Sequence, residues 1–283
     1  MSAKIIDGRK LAKELRSKIK TEITARLERG QRAPSLVVVQ VGSDPASEVY
    51  VHKKHQACLE VGIKSHIHTL SAETSEATLI DLVDTLNADD QIDGILIQLP
   101  LPKHINSDNL LERINPLKDV DGFHPFNIGR LAQRRPLLRP CTPYGIIKML
   151  THIDFPFKDS HVVLVGVSNI VGRPMGLELL LAGSTVTFCH RFTKNLPEIL
   201  QKADCVIVAI GHPAFIQGSW LKPGSVIIDV GISRLPNGEL SGDVDFEAAQ
   251  KVVGWITPVP GGVGPMTVAT LLENTLQAAE LQV

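Results

Sequence analysis

The apolar run His161-Val-Val-Leu-Val165 leads through Gly166-Val-Ser-Asn-Ile-Val-Gly-Arg-Pro-Met-Gly176 into a helix-like segment, Leu177 to Ala182. No other feature constrains the fold as much. A strand that turns through glycines into a helix presents bare backbone N–H groups and a positive dipole end, the physical requirements for holding a pyrophosphate. The stretch therefore reads as a dinucleotide site. It departs from the usual G-x-G-x-x-G, since Ser168 stands at the second glycine and the last glycine, Gly172, comes one place late. A glycine turn that merely ends a strand is the plainer alternative, so the rest of the chain must decide.

Apolar strands and helical repeats alternate on both sides of this turn. Asp7 can cap a helix in which Leu11, Leu15, Ile19, Ile23 and Leu27 recur every fourth position until Gly30 stops it. Leu36 to Gly42 is a continuous apolar run, typical of a strand covered on both faces. A helix from Ser47 to Val61 ends at Gly62, a strand runs from Ile63 to Leu70, and a helix starts near Thr74 with Glu73 and Glu76 in its first turn. The strand Gly94 to Leu99 follows. From Asn115 to Pro143 the periodicity fails, which predicts an interdomain connection of ordered loops. Thr142-Pro143 fits a helix start, N-cap then N1. Strands at His161–Val165, Thr185–Phe188, Cys205–Ile210 and Val226–Val230 then alternate with helices. Asn237-Gly238 signals a hairpin within that second sheet, and Met266 to Gln282 reads as a helix returning to the first domain. Two doubly wound α/β domains are expected, residues 1–121 joined by helix 266–282, and residues 140–265, with the working cleft between them.

With 283 residues, 43% hydrophobic and 21% charged, the chain suits two globular domains. A net charge of −1 argues against broad nucleic-acid or membrane-surface binding, which needs an excess of Lys and Arg on one face. Cys58, Cys141, Cys189 and Cys205 are scattered without a CxxC pair, so neither a zinc site nor a disulfide framework is expected, and a reducing compartment fits. No secretory signal or membrane span is seen at the N-terminus. Cytoplasm is the expectation.

Cofactor choice is read at the end of the second strand of the second sheet. An Asp or Glu there would accept a ribose 2′-OH, whereas a 2′-phosphate calls for positive charge. Phe188-Cys-His190-Arg191, with Lys194 close behind and no acid, favours NADP over NAD. In the first domain Tyr50 and Lys54 share a helix face, four residues apart. A Lys beside an aromatic and away from carboxylates is a candidate base, although most helical lysines are simply solvated. His52 and His55 have H-x-x-H spacing without a third ligand, so no metal site is expected. Gln98-Leu-Pro-Leu-Pro102 puts an amide at a strand's carboxyl end, where it opens onto a ligand crevice. Asp119-Val-Asp121-Gly-Phe-His124 and Thr257 to Pro265 combine rigidity with exposed backbone, as the wall of a planar-ligand site would.

Taken in order, YVHKK, DGILIQLPLP, DVDGFHPFNIG, PCTPYGI, GVSNIVGRPMG and ITPVPGGVGPMT make the chain resemble the bifunctional methylenetetrahydrofolate dehydrogenase/cyclohydrolase (FolD) family from about Lys4 to the C-terminal helix. The resemblance implies oxidation of 5,10-methylenetetrahydrofolate with NADP, hydrolysis of the methenyl product to 10-formyltetrahydrofolate in the same cleft, a Rossmann-like C-terminal domain, and a homodimer. It assigns Lys54 as the catalytic lysine, Tyr50 as the aromatic stacked on the folate's aminobenzoyl ring, Gln98 as the lysine's hydrogen-bond partner and Asp121 as the pterin anchor. Pro260, Gly261 and Gly262 match the folate-contacting loop. Gly166, Val167, Ser168, Arg191 and Ile232 match cofactor-binding positions, with Thr142 a further candidate. Two positions depart from the family pattern: many members have Arg where Val167 stands, and a second basic residue where Gln56 stands. The 2′-phosphate thus depends more on Arg191 here.

Two other readings compete. A shikimate-dehydrogenase-like two-domain oxidoreductase would keep the glycine turn but has no need of Gln98 with Lys54. A nonenzymatic NADP-responsive binding protein would need neither Lys54 nor Asp121.

Overall fold

The structure, a computed structural model, describes residues 2–282. The chain opens with the strand β1 (Lys4–Ile5) and helix α1 (Gly8–Glu28). Asp7 caps α1, its Oδ1 accepting from the N–H of Lys10 at 3.1 Å, and Gly30 ends it at φ +76°. Leu11, Ile19 and Ile23 are buried but Leu27 is 48% exposed. The four-residue repeat overshoots the 3.6-residue turn, so Leu27 lies about 160° around the helix from Leu11.

Then follow β2 (Ser35–Val41), α2 (Pro45–Val61), β3 (Lys64–Leu70), α3 (Glu76–Ala88) and β4 (Gly94–Ile97). Asp44 caps α2 and the left-handed Gly62 closes it. Ser75 caps α3, so Glu73 precedes the helix and is not in its first turn as expected. The stretch expected to be a connection is part of a domain: α5 (Pro125–Ala132) lies in it, after a short α4 (Ser107–Arg113) that the sequence reading missed. His124 caps α5 through Nδ1, which accepts from the N–H of Phe126, with Pro125 at N1. Helix α6 (Cys141–His152) begins before Thr142, so Thr142 is inside the first turn and its hydroxyl bonds that of Thr267 at 2.9 Å.

Beyond it come β5 (His161–Val165), α7 (Gly172–Ala182), β6 (Thr185–Cys189), α8 (Leu196–Leu200), β7 (Cys205–Val208), β8 (Val226–Asp229), β9 (Ser233–Arg234), β10 (Leu240–Ser241), α9 (Phe246–Ala249), β11 (Trp255–Ile256) and α10 (Val263–Leu281). Asn237-Gly238 turns β9 into antiparallel β10, as a small sheet apart from the main one.

Two compact units result. One holds the N-terminal segment through Ala12 and Thr142–Thr267, around a parallel six-stranded sheet of order β1-β11-β8-β7-β5-β6. The other holds Lys13–Cys141 and the chain from Val268, around a parallel three-stranded sheet of order β3-β2-β4. The segment through Ala12, expected within a domain of residues 1–121, groups with the six-stranded unit. β1 pairs with β11, Ile5 opposite Ile256, because the backbone of residues 3–6 hydrogen-bonds to Gln250, Gly254 and Ile256. Neither strand announces itself in sequence, since each is two residues long.

In the three-stranded unit every residue of β2 is buried, its two faces feeding separate apolar clusters. Val38 packs with Ile19, Val61 and Leu272 on one face, and Val37 and Val39 with Leu79, Val83 and Ile95 on the other. That two-sided burial is why β2 reads as a continuous apolar run. In the six-stranded unit Val163, Val206 and Ile227 anchor a cluster with Leu200 and Ile256. Among the described residues no helix is long and apolar enough to cross a membrane.

Candidate active site

The first group of candidate residues lies in the three-stranded unit. Helix α2 presents Tyr50 and Lys54, both half-buried, one turn apart. Gln98 follows directly on β4. Its Nε2 donates to the carbonyl of Leu99 at 2.7 Å, which fixes the amide and turns Oε1 toward Lys54, whose Nζ donates to it at 3.0 Å. The Leu99-Pro100 bond is cis. Burial pushes the Tyr50 phenol up.

Residues 118–121 run beside β4, with Ile95 bridged to Asp119 and its N–H donated to Lys118 O at 2.8 Å. The buried Lys118 Nζ donates to the carbonyls of Leu86, Asn87 and Asp89, the C-terminal end of α3; burial pulls its pKa down. Buried Asp119 accepts from the N–H groups of Gly122, Phe123 and His124 and from Asn127 Nδ2, while desolvation pushes its pKa up against those donors. The pair pins a turn that Gly122 completes at φ +79°; a Cβ there would lie 2.5 Å from Arg139 C and Pro140 N. Asp121 sits in that turn. Burial raises its pKa, the positive charge of Lys54 lowers it, and Asp119 raises it again. Lys54 is thus not remote from carboxylates, since its positive charge reaches Asp121. Sequence singled out Asp119 only as part of a stiff loop, and Lys118 not at all; Lys118 works through hydrogen bonds to the distant end of α3 that no local pattern reveals.

The remaining candidates lie in the six-stranded unit. At Gly166, φ +114°, a Cβ would fall 2.2 Å from Ala209 O; at Gly172 it would fall 2.1 Å from Gly166 O; at Gly176, 2.0 Å from the Phe188 ring. Three glycines thus make the turn, bring helix against strand and seat α7 on β6, although their spacing is not the usual one. Ser168 Oγ accepts from the N–H of Val171 at 3.2 Å and fixes the helix start. Among the described residues the N–H groups of Val167, Ser168, Asn169 and Ile170 donate to no other protein group, and together they fit an anion at a helix N-terminus. A pyrophosphate-bearing dinucleotide therefore suits this turn. At the end of β6, exposed Arg191 lies with its guanidinium 4.6 Å from the centre of the Phe192 ring, and no acid is near in sequence. The turn is locked by His190 N–H on Thr193 Oγ1 and Phe192 N–H on His190 Nδ1. Ile232 is exposed beyond β8.

Pro260, Gly261 and Gly262 belong to this second unit. The Val259-Pro260 bond is cis, Gly261 has φ +113° and accepts from the N–H of Arg9, and a Cβ on Gly8 would overlap Gly262 O at 1.7 Å. The start of α1 therefore meets this loop only with glycine at position 8. His52 is exposed and His55 half-buried, and no group of three or more His, Cys, Asp or Glu among the described residues could hold a metal ion.

Comparison with known proteins matches both units to one family. Residues 6–121 match the tetrahydrofolate dehydrogenase/cyclohydrolase catalytic domain and residues 140–283 the NAD(P)-binding domain of that family. The bifunctional FolD methylenetetrahydrofolate dehydrogenase/cyclohydrolase of Campylobacter jejuni is 44% identical over 100% of both chains, with a TM-score of 0.97. The Trypanosoma brucei enzyme, solved with NADP cofactor and inhibitor, is 34% identical over 99% of this chain and 98% of its own, TM-score 0.95. A shikimate 5-dehydrogenase from Thermus thermophilus, 14% identical over 88% of this chain and 100% of its own with a TM-score of 0.54, shares the fold alone. With both halves matched and such identity over the whole length, the chain belongs to the tetrahydrofolate dehydrogenase/cyclohydrolase family.

Proposed function

We propose that this chain oxidises 5,10-methylenetetrahydrofolate to the 5,10-methenyl form with NADP and hydrolyses that product to 10-formyltetrahydrofolate, with Lys54 as the proton carrier of the hydrolysis. The observation that carries the role of Lys54 is its 3.0 Å hydrogen bond to a Gln98 amide whose orientation the Leu99 carbonyl dictates. In the hydrolysis water adds to the methenyl carbon and gives up both its protons as the formyl C=O forms, while the carbon's bond to one of its two nitrogens breaks; that nitrogen takes one proton and the other is released. A positioned amine that takes and returns protons contributes about 10²–10⁴-fold to such a step. Gln98 holds the amine in place, and Asp121 accepts hydrogen bonds from the amino and ring N–H groups of the pterin. Tyr50 supplies a flat apolar face for the aminobenzoyl ring.

For the oxidation, the turn opened by Gly166 would hold the cofactor's pyrophosphate on the free N–H groups that begin with Val167 and Ser168, Arg191 its 2′-phosphate and Ile232 the far end, with Thr142 at the start of α6. When bound, NADP accepts the hydride of the methylene carbon. The protein's part is alignment, which can contribute about 7–11 kcal/mol. Pro260, Gly261 and Gly262 shape a rigid wall for the folate.

Formation of methenyltetrahydrofolate, followed by absorbance with NADP and NAD in parallel, tests this reading. Absence of product with either cofactor would refute it.

We further propose that the protein works as a homodimer, as the family resemblance implies, and in the cytoplasm, a reducing compartment that fits its scattered cysteines. Among the described residues the seven-residue β3, with Ile67 exposed, has no strand partner on one side, in keeping with pairing between copies. Sedimentation that returned only monomer at micromolar concentration would exclude the dimer.

A further inference from the structure

We propose that two buried carboxylates, Asp243 and Asp229, form a clamp that sets the loops after β7 and β8 for the nicotinamide half of the dinucleotide. Asp243 Oδ2 accepts from the N–H groups of Ile210 and Gly211 at 2.7 and 2.9 Å, and its Oδ1 from His212 at 2.8 Å. Asp229, the last residue of β8, accepts through Oδ1 from Gly231 and from Asp243 itself, each at 3.0 Å, and through Oδ2 from Val244 at 2.9 Å. Its own N–H is held by Thr257 Oγ1 at 2.8 Å. The two acids thus gather six backbone donors from three segments while being only 0% and 4% exposed. Close approach is built in, since a Cβ on Gly231 would lie 2.2 Å from Asp243 Cγ and one on Gly242 2.0 Å from Asp229 Oδ2.

The location gives the clamp its purpose. In a doubly wound sheet the pyrophosphate sits at the first glycine turn and the adenosine ribose at the end of the next strand, here β5–α7 and β6. The other half of the molecule then reaches the carboxyl ends of β7 and β8, on the opposite side of β5 in the strand order. The loops there display two large apolar side chains to solvent, Ile210 at 38% and Ile232 at 45% exposure. Both hang on backbone that the clamp fixes: Ile210 directly through its own N–H, Ile232 through the neighbouring Gly231. Asp229 and Asp243 are therefore positioning residues, acting through the two isoleucines.

Among the described residues no cation pairs with either carboxylate. The charged or titratable residues of the adjoining segments are His212, whose ring stacks edge-on to Phe215, and Asp245, whose carboxylate caps α9 by accepting from Ala248 N–H. Burial, with Asp243 alongside, pushes the Asp229 carboxyl up to about 6. Protonation turns an acceptor into a donor and frees the β8 loop.

The inference rests on the NADP reading above. The experiment uses the full chain, with NADP affinity measured by calorimetry without folate and cyclohydrolase activity measured without NADP. Asp243→Asn should weaken NADP by about tenfold or more, since an amide group facing N–H donors leaves them unpaired, and should leave cyclohydrolase within about twofold. Wild-type affinity should fall as pH drops through about 6 more steeply than that of Asp229→Asn. The cofactor's own 2′-phosphate also titrates near 6, so only the difference between the two proteins is read. Unchanged NADP affinity in folded Asp243→Asn, or parallel pH profiles, would overturn the clamp. Should Asp243→Asn fail to fold, Ile210→Ala reads the same contact at an exposed position, and wild-type NADP affinity there would overturn it equally. If these variants bind normally while Arg191→Ala does not, the clamp fails and the enzyme reading stands; if wild type binds no NADP, the enzyme reading itself fails.

Discussion

The two units present functional groups in opposite ways. The three-stranded unit offers side chains: Lys54, Gln98, Tyr50 and Asp121 project from a helix, a strand end and a pinned turn. The six-stranded unit offers backbone: free N–H groups at residues 167–170, and loops tied by Asp243 and Asp229, with Gly166, Gly172, Gly231 and Gly242 at close approaches. The first site should forgive small shifts of backbone but not a changed functional group. The second should forgive most side-chain changes but not an added Cβ. Proton transfer needs a titratable atom, whereas a phosphate needs only converging N–H dipoles.

The sharpest attempt to break this contrast is Lys54→Met, which keeps much of the side-chain volume and removes the amine. Cyclohydrolase should fall by about 10²–10⁴-fold, with some dehydrogenase left because alignment survives. Full hydrolysis by the folded variant would end the role of Lys54. Gly172→Ala is the converse: one methyl group placed 2.1 Å from Gly166 O should cost the turn about 1–3 kcal/mol or more, seen as lost NADP binding in calorimetry. Cyclohydrolase, which uses no cofactor, should persist, and loss of both activities together would erase the distinction. Arg191→Ala asks whether the backbone unit needs one side chain after all. It should weaken NADP by about 1.5–3 kcal/mol and NAD hardly at all, and equal effects on the two Michaelis constants would remove Arg191 from the 2′-phosphate site. The smallest change is expected from Asp121→Ala, about 1–3 kcal/mol in folate affinity with NADP affinity near wild type. Unchanged folate affinity would reduce Asp121 to a loop residue.

Much of this was legible in the chain. Strands covered on both faces announce themselves as apolar runs, and β2 and β5 lie within a residue of where the sequence puts them. The family motifs singled out Lys54, Gln98 and Asp121, and the first two share a hydrogen bond in the structure. What stayed hidden shares one cause: its energy comes from partners remote in sequence. β1 exists because β11 is beside it. Lys118, Asp119, Asp229 and Asp243 look like surface charges until their backbone partners are known. The Thr142-Pro143 pair misled for a related reason, since good N-cap chemistry does not oblige a helix to start there when the preceding residue, Cys141, already donates its N–H to Asp121 O.

The chain leaves the six-stranded unit after Ala12, returns at Thr142 and leaves again after Thr267. Leu271, Leu272, Leu276 and Ala278 complete the apolar cluster begun by Ile19 and Leu36, and Asn274 Nδ2 donates to the carbonyls of Val120 and Arg139 at 2.8 Å each. Ala3 in turn belongs to the cluster of Val163 and Ile227. The units are therefore interleaved rather than modular, and the stretch 6–121 matched by the catalytic-domain family lacks the last wall of its own core. Neither half can be exchanged as a contiguous cassette. Recombination between relatives that keeps this protein folded must carry the two ends of the chain along with the pieces they complete.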